Sequence, residues 1–133
     1  MMLAMLFVLF AADDVVIIPA KEIEAKLKTP PARLVNTSSY AVQTMVRTAP
    51  GQAELHEKET DVFYIVDGAA TLTTGGTMPD AKVTEPGEKR GTLIKDGKAQ
   101  RVAKGDVVTI AKGVPHMFSA VEKSVTYFVV KVK

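Results

Sequence analysis

Two histidines, His56 and His116, carry the chemistry this chain most readily suggests. His56 lies in the segment Gly51-Gln-Ala-Glu-Leu-His-Glu-Lys-Glu-Thr-Asp-Val-Phe-Tyr-Ile-Val-Asp-Gly68. His116 closes Gly105-Asp-Val-Val-Thr-Ile-Ala-Lys-Gly-Val-Pro-His116. Neutral imidazole is the commonest protein metal ligand. A divalent ion needs several such groups converging from different parts of the chain. If strands bring the two segments together, the chemistry is metal binding.

The elements that would do this are mostly strands. Tyr40 to Arg47, Val62 to Val66, Ala69 to Thr73, Gly91 to Lys95, Lys98 to Val102, Val107 to Ile110, Met117 to Val121 and Val125 to Val132 are β-branched or aromatic runs between turn signals. Asp67-Gly68 and Asp96-Gly97 each predict a two-residue hairpin turn. Gly75 to Gly87 reads as a polar, loosely ordered loop. Ahead of these, Val15 to Ile18 reads as a short strand. Pro19 opens a helix from Ala20 to Lys28, with Ile23 and Leu27 on one face, and Thr29-Pro30-Pro31 stops it. Many short strands with turns between them predict an all-β sandwich or barrel. If Asp61 points inward, strand alternation turns Phe63 and Ile65 inward too, opposite Ala70 and Leu72 across the expected turn. Val62, Tyr64 and Val66 make the other face equally apolar, so a cover is required, and a homodimer is the expectation.

The two histidine segments resemble the paired motifs of the cupin superfamily, small barrels of the jelly-roll (double-stranded β-helix) type. The first family motif runs glycine, a His-x-His pair, a glutamate three or four residues on, then six residues to a closing glycine. Read back from Gly68, Asp61 falls on the glutamate, His56 on the second histidine and Glu54 on the first. The second motif runs glycine, five residues, proline, any residue, glycine, two residues, histidine. Gly105, Ala111, Gly113 and His116 take those places, with Ala111 replacing proline.

The resemblance implies a jelly-roll barrel over residues 33–133, preceded by a strand and short helix in residues 13–32. It also implies a metal held by Glu54, His56, Asp61 and His116. That mixed nitrogen and oxygen set suits Mn²⁺, Fe²⁺, Zn²⁺, Ni²⁺ or Co²⁺. Glutamate at 54 keeps a ligand but adds negative charge, and aspartate at 61 shortens the reach. Glu57 and Glu59 are nearby substitutes. The alternative is a metal-free barrel in which both histidines are simply hydrogen-bonded. Such sites in the family serve oxygenases, isomerases, lyases and decarboxylases, and a small oxygen-bearing or carboxylate molecule is the expected ligand. The alternative is a non-catalytic binding or sensor barrel, which the altered ligands Glu54 and Asp61 favour. Pocket candidates are Gln43 and Arg47, if their side of the strand faces inward rather than to solvent, with Phe63 and Phe118.

Composition excludes other chemistry. With 133 residues the chain suits one domain. It has no cysteine, which removes disulfides, thiolate zinc sites and cysteine nucleophiles. The 17 basic and 15 acidic residues are interspersed, without the basic run expected of a nucleic-acid binder. Lys131 and Lys133 read as ordinary solvated charges at a strand end. Residues 1–12, apolar from Met1 to Phe10 and then Ala11-Ala12, are too short to span a bilayer. They resemble a secretory signal that lacks its basic start, so export to the periplasm or medium is the expectation, and a cytoplasmic location the alternative.

Overall fold

A computed structural model describes residues 15–133. The expected export signal, residues 1–12, lies outside them. Val15 to Ile18, expected as a strand, forms none, and Val15, Val16 and Ile17 are exposed. One helix follows, α1 (Ala20–Leu27), with Glu22 in its first turn and Lys26 in its last, each favourable to the helix dipole. Among the described residues no helix is long and apolar enough to cross a membrane.

The rest is a single curled antiparallel sheet of nine strands. They are β1 (Ala32–Asn36), β2 (Tyr40–Arg47), β3 (Ala53–His56), β4 (Thr60–Thr74), β5 (Lys82–Glu85), β6 (Glu88–Gly91), β7 (Lys98–Ala103), β8 (Val107–Ile110) and β9 (His116–Val132). The order β1-β2-β9-β3-β6-β5 runs along one side, while β4 pairs with β7, β8 and β9. The fold is the all-β jelly roll with one short N-terminal helix.

The expected hairpin at Asp67-Gly68 does not form. β4 runs straight through it, and β9 likewise joins the two segments expected before and after residue 123 into one strand. The two long strands pair along their length, with register shifts at Ile65/Asp67, Gly68/Ala69 and Thr71/Leu72. Gly68 (φ +76°) and Lys123 (φ +64°) mark this irregular stretch on the two strands. A bulge inserts a residue and resets the alternation of faces. Hence Phe63 and Ile65, of odd number, and Ala70 and Leu72, of even number, all lie in the buried core. A two-residue hairpin at 67 and 68 would also set Phe63 opposite Leu72 and Ile65 opposite Ala70 on one face, so the inward set was legible although the turn was not.

Asp96-Gly97 is not a hairpin either. β7 pairs with Ala69–Thr74 of β4, and Lys95 bridges to Thr77. Nor is Gly75 to Gly87 merely a loop. Its second half forms β5, which turns through Pro86-Gly87 (Gly87 φ +83°) into β6. A proline followed by a positive-φ glycine is the chemistry of a type II turn. This hairpin lays β6 against β3.

Candidate metal centre

Strand register assembles the site. Glu54 and His56, two apart on β3, share a face. Opposite them on β6 stand Arg90 and Glu88, and across the other edge of β3 Glu54 meets His116 of β9. Asp61 of β4 stands opposite Lys131 near the far end of β9. Each expected ligand therefore has a cross-strand neighbour able to orient it or balance its charge.

The two imidazoles lie with ring centroids 5.1 Å apart. His116 donates from Nδ1 to the Val114 carbonyl oxygen at 3.0 Å. A carbonyl can only accept, so Nε2 carries the free lone pair. That buried Nε2 has no hydrogen-bond partner among the described residues. It faces Glu54 Oε2 at 3.7 Å and Asp61 Oδ2 at 3.7 Å. His56 Nδ1 lies 2.5 Å from Glu88 Oε2, while its Nε2 lies 3.3 Å from Asp61 Oδ2 and 3.8 Å from Glu54 Oε2. A carboxylate behind one ring nitrogen is the arrangement that orients a metal-binding histidine and raises its basicity.

Glu54, His56 and His116 place one donor atom each within 4.8 Å of one another. Two imidazole Nε2 atoms and a carboxylate, with an orphaned buried lone pair among them, fit a divalent ion. Asp61 stands beside this trio with its carboxylate divided. Oδ2 faces the imidazoles, and Oδ1 accepts a hydrogen bond from Lys131 Nζ at 2.9 Å. The same ammonium lies 3.5 Å from His56 Nε2.

The charges are mutually stabilised. Burial pushes the Glu54 carboxyl upward, but its cationic surroundings, the Arg90 guanidinium among them, outweigh it and hold the group below the usual carboxylate range. Burial also raises Asp61, and the neighbouring His56 and Lys131 more than reverse that. For His56, burial and Lys131 work against protonation, yet Asp61 and Glu88 lift its pKa above the usual value.

The centre opens on a cavity of about 620 Å³. Gln43, Arg47 and Phe63 line it together with Glu54, His56 and Asp61. The side of β2 left open by sequence is thus the inward one. Phe118, expected in the pocket, belongs instead to the buried core, stacked on Phe63 with centroids 5.9 Å apart. It still touches the cavity wall indirectly, because the Arg47 guanidinium lies 5.7 Å above its ring. Arg47 Nε also donates to Tyr127 Oη at 2.9 Å. Of the two substitute carboxylates, Glu59 lines the cavity, whereas Glu57 is exposed and pairs with Lys89 at 3.4 Å.

Lys131 corrects the expectation of a solvated strand end. A signal for it existed: Val125, Tyr127 and Val129 alternate inward, and the next inward position is 131. Glu88 and Arg90 had no comparable signal, since they followed a segment read as loop.

A barrel of this topology with histidine and carboxylate donors gathered inside one end defines a class, the small β-barrels with a candidate divalent-metal centre. The family model described as Cupin matches residues 25–133, and the chain belongs to that family. No curated protein matches the chain. Solved structures do. A Bacillus halodurans protein is 12% identical, with a TM-score of 0.62, over 92% of this chain and 83% of that one. KdgF from Halomonas sp. is 16% identical, with a TM-score of 0.54, over 76% of each chain. The DMSP lyase DddQ of Ruegeria pomeroyi is 16% identical, with a TM-score of 0.53, over 73% of this chain and 40% of its own. At these identities the likeness carries the fold, and reaction does not travel with fold.

Proposed function

We propose that this cupin holds one divalent metal ion through Glu54, His56 and His116, with Asp61 as a fourth ligand, and takes a small carboxylate-bearing molecule in the adjoining cavity. The observation that carries the reading is the buried Nε2 of His116, a fixed lone pair with no hydrogen-bond partner among the described residues. Leaving such an atom unsatisfied costs stability unless a ligand completes it. A bound ion would supply Lewis acidity toward an oxygen of the ligand. The residues themselves orient: Glu88 fixes the His56 ring, Arg90 holds Glu54, and Phe63 gives the cavity an apolar wall. The test is elemental analysis of untagged protein purified without chelator, beside a variant lacking both imidazoles.

Arg47 is the reason for naming a carboxylate. Its guanidinium is held by Tyr127 and Phe118, it lines the cavity, and no carboxylate lies within ion-pair distance of it among the described residues. Such a held guanidinium is a pre-organised partner for a planar anion. Arg47→Leu is expected to weaken malonate binding to the metal-loaded protein about 10-fold or more, the worth of one charge-assisted hydrogen bond. Isothermal titration reads this, and equal affinity in both proteins would remove Arg47 from the ligand site.

A non-catalytic binding or sensor role is the second reading, and the Lys131–Asp61 pair favours it, because an ammonium already satisfies one expected ligand. Association is proposed with either. Tyr64 on β4 and Val107, its register partner on β8, are both exposed, 49% and 63%, making an uncovered apolar strip on the outer face. Tyr64→Glu is expected to move the size-exclusion peak from dimer to monomer. An unchanged elution volume would show that this strip is not the contact.

A further inference from the structure

Among the described residues, Lys131 is the one cation whose head group reaches two of the expected metal ligands at once. Its ammonium donates to Asp61 Oδ1 at 2.9 Å and lies 3.5 Å from His56 Nε2, the nitrogen an ion would need. Register puts it there, since Lys131 stands directly across from Asp61 in the β4–β9 ladder. Asp61 is only 2% exposed, so its carboxylate needs a counter-charge whenever no metal is present.

We propose that Lys131 is the built-in counter-cation of the metal-free site, and that a divalent ion binds by displacing its ammonium from Asp61 and His56. The inference rests on the metal reading above and adds to it a competition inside the protein. An ammonium and a divalent ion cannot share the same carboxylate and imidazole without strong repulsion. A lysine head on a flexible four-carbon stem can withdraw, and the cavity beside it gives it room. Two properties follow. The barrel stays intact without metal, because Asp61 is never left bare. Metal affinity is held below what four protein donors would otherwise give, since each binding event must break the Lys131 contacts.

The experiment compares chelator-treated wild type, Lys131→Met and Lys131→Arg, titrated calorimetrically with Mn²⁺ and with Zn²⁺ and melted with and without metal. Removing the ammonium is expected to raise metal affinity at least 10-fold, while Lys131→Arg, which keeps the charge, stays near wild type. The metal-free Lys131→Met protein melts lower than wild type, and saturating metal reverses that order. A residue with a merely structural role would lower both melting points together. Equal or weaker metal affinity in Lys131→Met overturns the inference and leaves the metal reading standing. Failure of all three proteins to bind either ion overturns both. If Lys131→Met does not fold, Lys131→Gln carries the same comparison, because it also lacks the charge.

Discussion

Replacing both imidazoles, His56→Ala/His116→Ala, is expected to take the protein from near one equivalent of divalent metal to none. The effect is large because the two side chains supply both nitrogen donors. What remains is Glu54, already engaged by Arg90, and Asp61, already engaged by Lys131. Hard carboxylates with resident counter-charges are poor competitors for a transition metal. The single variant His116→Ala is expected to lose most of the metal alone, because it removes the free lone pair that no other group fills. Glu88→Gln tests the orientation of His56 and should cost about 10–100-fold in affinity while leaving all the expected ligands in place. Thermal melts give a second readout, since an ion at about 1,000 times its dissociation constant stabilises the folded state by about 4 kcal/mol. That increment should appear in the parent and vanish in the double variant. Metal that stays with the double variant would place the ion elsewhere. A parent without metal, even after incubation with Mn²⁺, Fe²⁺, Ni²⁺ and Zn²⁺, would make the histidines parts of a metal-free network and move attention to ligand binding.

What the sequence disclosed about this site depended on how local each signal was. β2 and β8 were legible to the residue, since each is an isolated β-branched run with breakers on both sides. Glu54 and His56 fell on one face because a short strand has no room for irregularity. The long strands failed for the opposite reason. Asp-Gly is the strongest local signal for a turn, yet in β4 the same positive φ serves a bulge inside a paired strand. No residue near position 67 records whether the chain turns back or continues; that is decided by β9 lying alongside. The polar region after Gly75 misled in a similar way. Its composition predicts a loop, and composition cannot show that Pro86-Gly87 folds Glu88 and Arg90 back onto β3. So the expected ligands were nameable from the sequence, while the groups that hold them were visible only once strands were paired.

Gly68 is where the fold and the site meet, and Gly68→Ala is expected to be among the most damaging small substitutions in the barrel. A methyl group there would lie 1.9 Å from the Ser124 carbonyl oxygen and 2.9 Å from its carbonyl carbon, both backbone atoms of the partner strand. Its φ of +76° adds the strain of a left-handed conformation on a residue with a side chain. Together these should cost about 3–5 kcal/mol, in the range of the most severe single substitutions and a large fraction of the 5–15 kcal/mol typical of a domain. Gly75→Ala is the control. It has the same φ, +76°, with nothing within 4 Å of the added methyl, so it should cost only about 1 kcal/mol. The difference between the two melts isolates the close approach of β4 to β9. Gly68→Asn separates the two readings of the segment. In a hairpin turn asparagine accepts positive φ and would be tolerated, whereas here its Cβ meets the same Ser124 backbone. Equal melting points for Gly68→Asn and wild type would restore the hairpin. If Gly68→Asn melts well below wild type instead, the bulge is confirmed as the device that switches inward parity between Phe63 and Leu72. Any variant that relieves the clash by slipping register would carry Asp61 away from Lys131 and His56, and so should lose metal along with stability.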